Sequence, residues 1–140
     1  MSRIFWDTNL FIYLFEEYGA LSVMVQSLRK KMLQRGDQLL TSSFTLGELL
    51  VKPMEKGAVD LCKSYEDALQ MTAVLVPFDP KAAIHYARLR GDRSIRAPDA
   101  IQLACAAAAR VDLFITNDER LQSKRMDGIQ FVTSLKTAPL

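Results

Sequence analysis

The sequence predicts an α/β fold with a parallel sheet covered by helices on both faces. Three observations predict it. Short apolar runs of strand length alternate along the chain with longer segments of helical period, as strands joined by helical crossovers do. At 140 residues with 49% hydrophobic side chains, the chain is long and apolar enough to bury a real core. Glycine and proline punctuate the elements, and no linker, internal repeat or low-complexity stretch interrupts them.

Arg3–Trp6 opens the chain as an apolar strand, and Leu10–Phe15 and Leu21–Arg35 follow as helices, the second stopped by Gly36-Asp37. Gln38–Thr41 is the next strand. Phe44–Lys56 and Ala58–Thr72 read as helices, with Pro53 and Gly57 placed to kink or divide them. Val74–Phe78 returns to strand character, and Pro80–Arg90 is helical up to Gly91. A short, polar, arginine-rich connection leads to the helix Pro98–Arg110, whose run "ACAAAA" invites close helix packing inside the fold or across a dimer. Leu113–Thr116 is a strand, Asp118–Gln122 a short helix and Gln130–Val132 the last strand. One domain spanning 1–140 is expected, with Thr137–Leu140 loose at its end.

Net charge is +2 with 24% charged residues, so the total excludes neither nucleic acid nor small molecules as partners. Cys62 and Cys105 lie far apart in helical segments without metal-ligand spacing, and read as reduced packing residues. No apolar stretch approaches the roughly 18 residues of a membrane span, and the beginning lacks a basic region followed by an apolar one. A cytoplasmic protein with no membrane partner is expected.

The chemistry is carried by acids. In "SRIFWDTNLFIYLF" a single carboxylate, Asp7, interrupts an apolar run, and an unpaired charge taken out of water costs several kcal/mol unless a cation, backbone amides or a metal stands beside it. All strands of a parallel sheet end at one edge, where the first turns of the following helices also lie. Asp7 follows the first strand, Asp118 follows "LFIT", and Glu48 lies early in the helix after "LLTS". Asp99 begins a helix that runs back antiparallel to the sheet, so it starts at that same edge. Four carboxylates from distant segments are thus expected to converge. Each also has a plainer reading: Asp7 and Asp118 suit helix N-caps, and Asp99 after Pro98 suits a first helical turn. Glu48 lies on a partly apolar side, and its neighbour Gly47, a poor helix former, suggests that something approaches closely there.

Clustered carboxylates repel one another, and oxygen donors without Cys or His select Mg²⁺ or Mn²⁺ over zinc. Such a site suits phosphate chemistry. The lone histidine, His85, falls mid-helix as a surface or packing residue, and no G-x-S-x-G, Walker or G-x-G-x-x-G stretch occurs.

"FWDTNLFIYLFE", "TSSFTLGELL", "APDAIQLACAAAA" and "LFITNDERL" resemble, in order and over nearly the whole chain, the four acidic motifs of PIN-domain ribonucleases. The resemblance implies a three-layer α/β/α sandwich with a central parallel sheet, metal-dependent cleavage of RNA, and a VapC-like toxin of type II toxin–antitoxin systems. It implies Asp7, Asp99 and Asp118 as ligands of Mg²⁺ or Mn²⁺, with Glu48 as ligand or orienter of the water. It also implies Thr8, Asn9 and Thr116 as polar support for ligands or substrate, and a small antitoxin and a second copy of the chain as partners. No motif acid is missing.

"RLRGDRSIR" sets Arg88, Arg90, Arg93 and Arg96 just before Asp99, where an RNA backbone entering an acidic site would need cations; a solvated helix end is the plainer reading. Arg29, Lys30, Lys31 and Arg35 close a helix, where cations suit its dipole. Of Phe5, Trp6, Phe11, Tyr13, Phe15 and Tyr18, most suit the core and some an apolar groove for a partner, walled by Leu10–Arg35 and Phe44–Lys56. Alternatives to the toxin are a PIN-type nuclease of another role, a noncatalytic interaction domain, and a phosphotransfer module. The last would resemble a D-x-D pair with a reactive lysine, whereas Asp7 is followed by Thr8-Asn9.

Overall fold

Residues 1–140 are all described by the computed structural model. The chain runs β1 (Arg3–Trp6), α1 (Thr8–Phe15), α2 (Ala20–Arg35), β2 (Gln38–Ser42), α3 (Ser43–Glu55), α4 (Val59–Thr72), β3 (Val74–Val76), α5 (Pro80–Leu89), α6 (Ala97–Ala109), β4 (Val111–Ile115), a 3₁₀ turn at Glu119–Leu121, and β5 (Ile129–Thr133). The strands form one sheet in the order β3-β2-β1-β4-β5, and every neighbouring pair is parallel.

Successive side chains of a strand point to opposite faces, so each central strand feeds two cores. Ile4, Trp6, Leu39, Leu113 and Ile115 pack with Phe11, Val25, Met32, Leu49 and Leu69 from α1 to α4. Phe5, Leu40 and Phe114 pack on the other side with Ala82 of α5 and Leu103, Ala104 and Ala106 of α6. The result is the expected three-layer α/β/α sandwich. Phe5 and Phe114, paired across β1 and β4, stack at 5.2 Å between ring centroids.

The strand order also creates the crevice. From β1 the chain builds outward through β2 and β3, then returns over α5 and α6 to add β4 and β5 on β1's other side. Beyond the carboxyl ends of β1 and β4 the chain therefore departs in opposite directions, which leaves a gap there.

Several boundaries differ from the sequence expectation. Pro53 is buried inside α3, which continues to Glu55; the division falls at Gly57, whose φ of 65° glycine adopts without a Cβ clash. The strand expected at Val74–Phe78 ends at Val76, and Asp118–Gln122 is a 3₁₀ turn with Asp118 as its cap. Nothing in the chain approaches Gly47, where an added Cβ would meet open space. The tail is anchored: Ala138 and Leu140 pack against the first core. Both cysteines are free, and Cys105 is buried in α6. No helix is long and apolar enough to cross a membrane.

The alanine-rich end of α6 lets backbone approach backbone. A Cβ on Gly128 would lie 2.3 Å from the Ala107 carbonyl oxygen, and Gly128 has φ 92°. Gly128→Ala is expected to lower stability by about 1–3 kcal/mol in urea unfolding, since clash and strained φ both act; an unchanged midpoint would show that the loop moves freely.

Candidate metal centre

The acidic site begins with the local conformation after β1. Asp7 caps α1, accepting from the Thr8 backbone N–H at 2.8 Å, while its own N–H continues the sheet to the Ile115 carbonyl at 3.0 Å. Its other carboxylate oxygen accepts from the Thr116 hydroxyl, one residue past β4, at 2.7 Å. Thr116 Oγ1 in turn accepts from the Asp118 N–H at 3.1 Å, which ties the two acidic segments together. The helix-cap reading and the acidic-site reading thus both hold for Asp7. They hold for Asp118 as well, which caps the 3₁₀ turn, and Asp99 lies in the first turn of α6.

Asp7, Glu48, Asp99 and Asp118 lie near enough to bear on one another through their charges. Burial is the main reason that the Asp7 carboxyl rises from 3.8 to about 6; its bonds to Thr116 and Thr8 oppose that rise, and the charges of Asp99 and Glu48 add to it. Glu48 is raised chiefly by partial burial of its carboxyl, with Asp99 adding to the effect, although the residue as a whole lies at the surface. Asp99 is raised by burial and by Asp118, against the opposing charges of Arg120 and Arg96. Asp118 alone lies below its ordinary value, foremost because the Arg120 side chain bonds it.

Sequence reasoning missed a buried polar hub beneath these acids. Gln102 of α6, 2% exposed, donates from Nε2 to Thr45 Oγ1 at 2.7 Å and Thr8 Oγ1 at 2.9 Å, and approaches Asp7 Oδ1 at 3.4 Å. Its Oε1 accepts from the Ser42 hydroxyl, and Thr8 Oγ1 donates to Glu48 Oε1 at 2.5 Å. Thr41 extends the web by donating to the Trp6 carbonyl at 2.8 Å. The available signal was one amide inside "AIQLACAAAA", three residues beyond Asp99. Arg120, which donates from Nε to Asp118 Oδ1 at 2.9 Å, was missed as well.

The supporting and basic residues divide. Asn9 Oδ1 accepts from the Asn117 N–H at 3.4 Å, bracing the loop after β4. Of the arginines before α6, only Arg96 bears electrostatically on Asp99 and Asp118. Arg90 is committed to the Ile95 carbonyl at 2.9 Å, and Arg93 is exposed. Arg88 lies along a cleft of about 370 Å³ with His85, Asp92, Lys124 and Arg125. Arg29 and Arg35 of the other basic group are structural, reaching the Thr72 carbonyl at 3.4 Å and Asp37 at 2.8 Å.

An apolar groove of about 360 Å³ runs beside Glu48, lined by Ile12, Leu49, Val51, Leu61 and Tyr65 among others. Its walls are α1, α3 and α4. Helix α2, expected as a wall, instead packs Val25, Leu28 and Met32 into the core.

The donors fit a hard divalent cation in kind: all are carboxylate oxygens, and the buried Asp7 has no cationic hydrogen-bond partner of its own. As arranged, no three acids are drawn close enough to enclose one ion.

The fold and the acids define the chain as an α/β protein with a doubly covered parallel sheet and acidic residues beside the point where its strand order reverses. The PIN-domain family model matches residues 4–126, and the chain belongs to that family. No curated protein matches the sequence. Among solved structures, VapBC2 from Rickettsia felis bound to a promoter DNA fragment is similar at 18% identity, covering 94% of this chain and 98% of that one, with a TM-score of 0.71. DNA-bound VapBC from Salmonella typhimurium is similar at 18% identity, with 96% and 99% covered and a TM-score of 0.73. VapBC-5 from Mycobacterium tuberculosis, of the VapBC family of toxin–antitoxin systems, matches at 19% identity, with 96% and 99% covered and a TM-score of 0.61.

Two outcomes follow from the geometry. Below pH 4 Asp7 is protonated in the folded and unfolded chain alike and costs nothing; between about 4 and 6 the unfolded chain releases the proton first, so stability falls as pH rises. In chelator, that loss is expected to reach about 3 kcal/mol above pH 6 and to vanish in Asp7→Asn. Parallel pH–stability curves for the two chains would contradict it. Gln102→Leu, which strands the hydroxyls of Ser42, Thr8 and Thr45, is expected to cost about 1–3 kcal/mol in chemical unfolding.

Proposed function

We propose that this chain is a metal-dependent endoribonuclease, the toxin of a toxin–antitoxin pair, acting in the cytoplasm. The observation that carries the reading is the gathering of Asp7, Glu48, Asp99 and Asp118 at the carboxyl edge of the sheet, with Asp7 buried and lacking a cationic partner. Asp7, Asp99 and Asp118 would hold Mg²⁺ or Mn²⁺. Such an ion neutralises charge on a phosphodiester and lowers the pKa of a water.

The chain's own residues do the remaining work. Thr116 and the Thr8 N–H fix the Asp7 carboxylate from two sides, so its oxygens need not reorganise. Glu48, steadied by Thr8 Oγ1, is set to orient a water or accept its proton. Arg96, at the start of α6, offers a cation to the RNA backbone, with the exposed Arg93 three residues before it as a second; Arg88 lies in α5 and Arg90 is held by the Ile95 carbonyl, so their part in RNA binding is the weaker one.

Similarity to solved VapBC complexes supports a small antitoxin as partner. The groove along α1, α3 and α4 suits a peptide with an apolar face, and Glu48 in its lining would draw a basic residue of that peptide. A homodimer belongs to the same reading.

Asp7→Asn, Asp99→Asn and Asp118→Asn are each expected to reduce Mn²⁺-dependent cleavage of labelled single-stranded RNA at least about 100-fold, with circular dichroism unchanged. Cleavage that persists in chelator would sink the metal-dependent reading. Expression of the chain alone is expected to arrest growth, with relief by Asp7→Asn or by coexpressing the neighbouring gene. Harmless expression of an active enzyme would retire the toxin role and favour a PIN-type nuclease of another role.

A further inference from the structure

The proposed cation site already contains a cation belonging to the chain. Arg120 donates from Nε to Asp118 Oδ1 at 2.9 Å and from Nη2 to Asp118 Oδ2, so both carboxylate oxygens are engaged. The Arg120 N–H adds a third bond to Oδ1 at 3.0 Å, and Nη2 lies 3.7 Å from Asp99 Oδ2. Arg120 is the one cation paired with any of the four acids: Asp7 is bonded by neutral donors and Glu48 by Thr8. The planar guanidinium grips Asp118 at two points, a fit that lysine's single ammonium lacks. Yet the Arg120 side chain is 50% exposed and sits on a one-turn 3₁₀ segment, so it can swing into water without unpacking the core.

We propose that Arg120 is the built-in competitor of the divalent cation: guanidinium and metal contend for the same Asp118 oxygens, and metal entry requires Arg120 to let go. The inference rests on the proposed metal site and adds its regulation. For the acids to close on one ion, Asp118 must leave Arg120, and the apparent metal affinity is reduced by the fraction of molecules in which the clamp is shut. A second consequence is structural. While the clamp is shut, Arg120 compensates Asp118 and Asp99, which would otherwise repel.

The test is Mn²⁺ binding by calorimetry in the absence of RNA, with thermal unfolding in chelator alongside. Arg120→Ala is expected to bind Mn²⁺ about two- to tenfold more tightly than the natural chain, the factor expected when an exposed two-point ion pair no longer competes. Arg120→Lys, which keeps the charge but loses the two-point grip, is expected to fall between them. In chelator, Arg120→Ala is expected to melt lower, and its gain in melting temperature on adding Mn²⁺ to be larger than that of the natural chain. Equal or weaker Mn²⁺ binding by a folded Arg120→Ala chain would overturn the competitor role while leaving the metal site standing. If neither chain binds Mn²⁺, the metal site and the competitor fall together; if only Arg120→Ala binds, competition is strong enough to hide the site.

Discussion

The burial of one carboxylate, Asp7, where β1 and β4 part, is the constraint on which the rest of the structure depends. A charge in that position is tolerated only with compensation, and the surroundings supply it incompletely. Thr116 and the Thr8 N–H bond the two oxygens, and Gln102 approaches at 3.4 Å, but all are neutral. The carboxyl therefore rises to about 6, because desolvation outweighs the hydrogen bonds. On the proposed reading a side chain kept at such a cost is set for a positive ligand, and the charges of Asp99 and Glu48 raise that demand.

The bonds that hold the site also hold the layers together. Gln102 rises from α6, on one face of the sheet, while Thr8 and Thr45 belong to α1 and α3 on the other. Their meeting point lies beyond the strand ends, where no backbone ladder links the two helical layers. The side-chain web replaces it there. Changing the web therefore moves the acids and weakens the fold at once, and activity and stability are expected to change together at Gln102 but separately at the exposed Arg120.

The fold was legible because hydrophobic period and strand length decide the order of elements in a doubly covered sheet. The placement of Asp7 and Asp118 just past β1 and β4, and of Asp99 in the first turn of α6, was legible because topology sets which ends of the elements share an edge, whatever the neighbouring side chains. Gln102 and Arg120 were not, since their roles depend on distances between segments far apart or on a rotamer. Pro53 was misleading for a different reason: tertiary burial keeps α3 intact through a residue whose local preference is to break it. Gly47 misled in the opposite sense, because its surface lies open and nothing in the chain uses the space. The groove's α4 wall depends on how α4 packs on α3, which periodicity does not specify.

Two concave surfaces of the chain differ in chemistry: one includes Glu48, and the other, along α5 and residues 124–127, includes none of the four acids. The groove beside Glu48 carries Ile12, Leu49, Val51, Leu61 and Tyr65 together with Glu16, Lys52 and Lys56, whereas the cleft along α5 carries His85, Arg88, Lys124 and Arg125 against Asp92 and Asp127. On the proposed reading, a polyanion is attracted where Arg88, Lys124 and Arg125 outnumber Asp92 and Asp127, and gains nothing from the groove, where Glu16 and Glu48 balance Lys52 and Lys56. An apolar peptide ending in a cation gains burial in the first and little in the second. On the proposed reading, the two surfaces therefore suit different partners, and the antitoxin's cation is drawn to the carboxylates. There Arg120 shows that a guanidinium can be held, since Asp118 already holds one from its own chain.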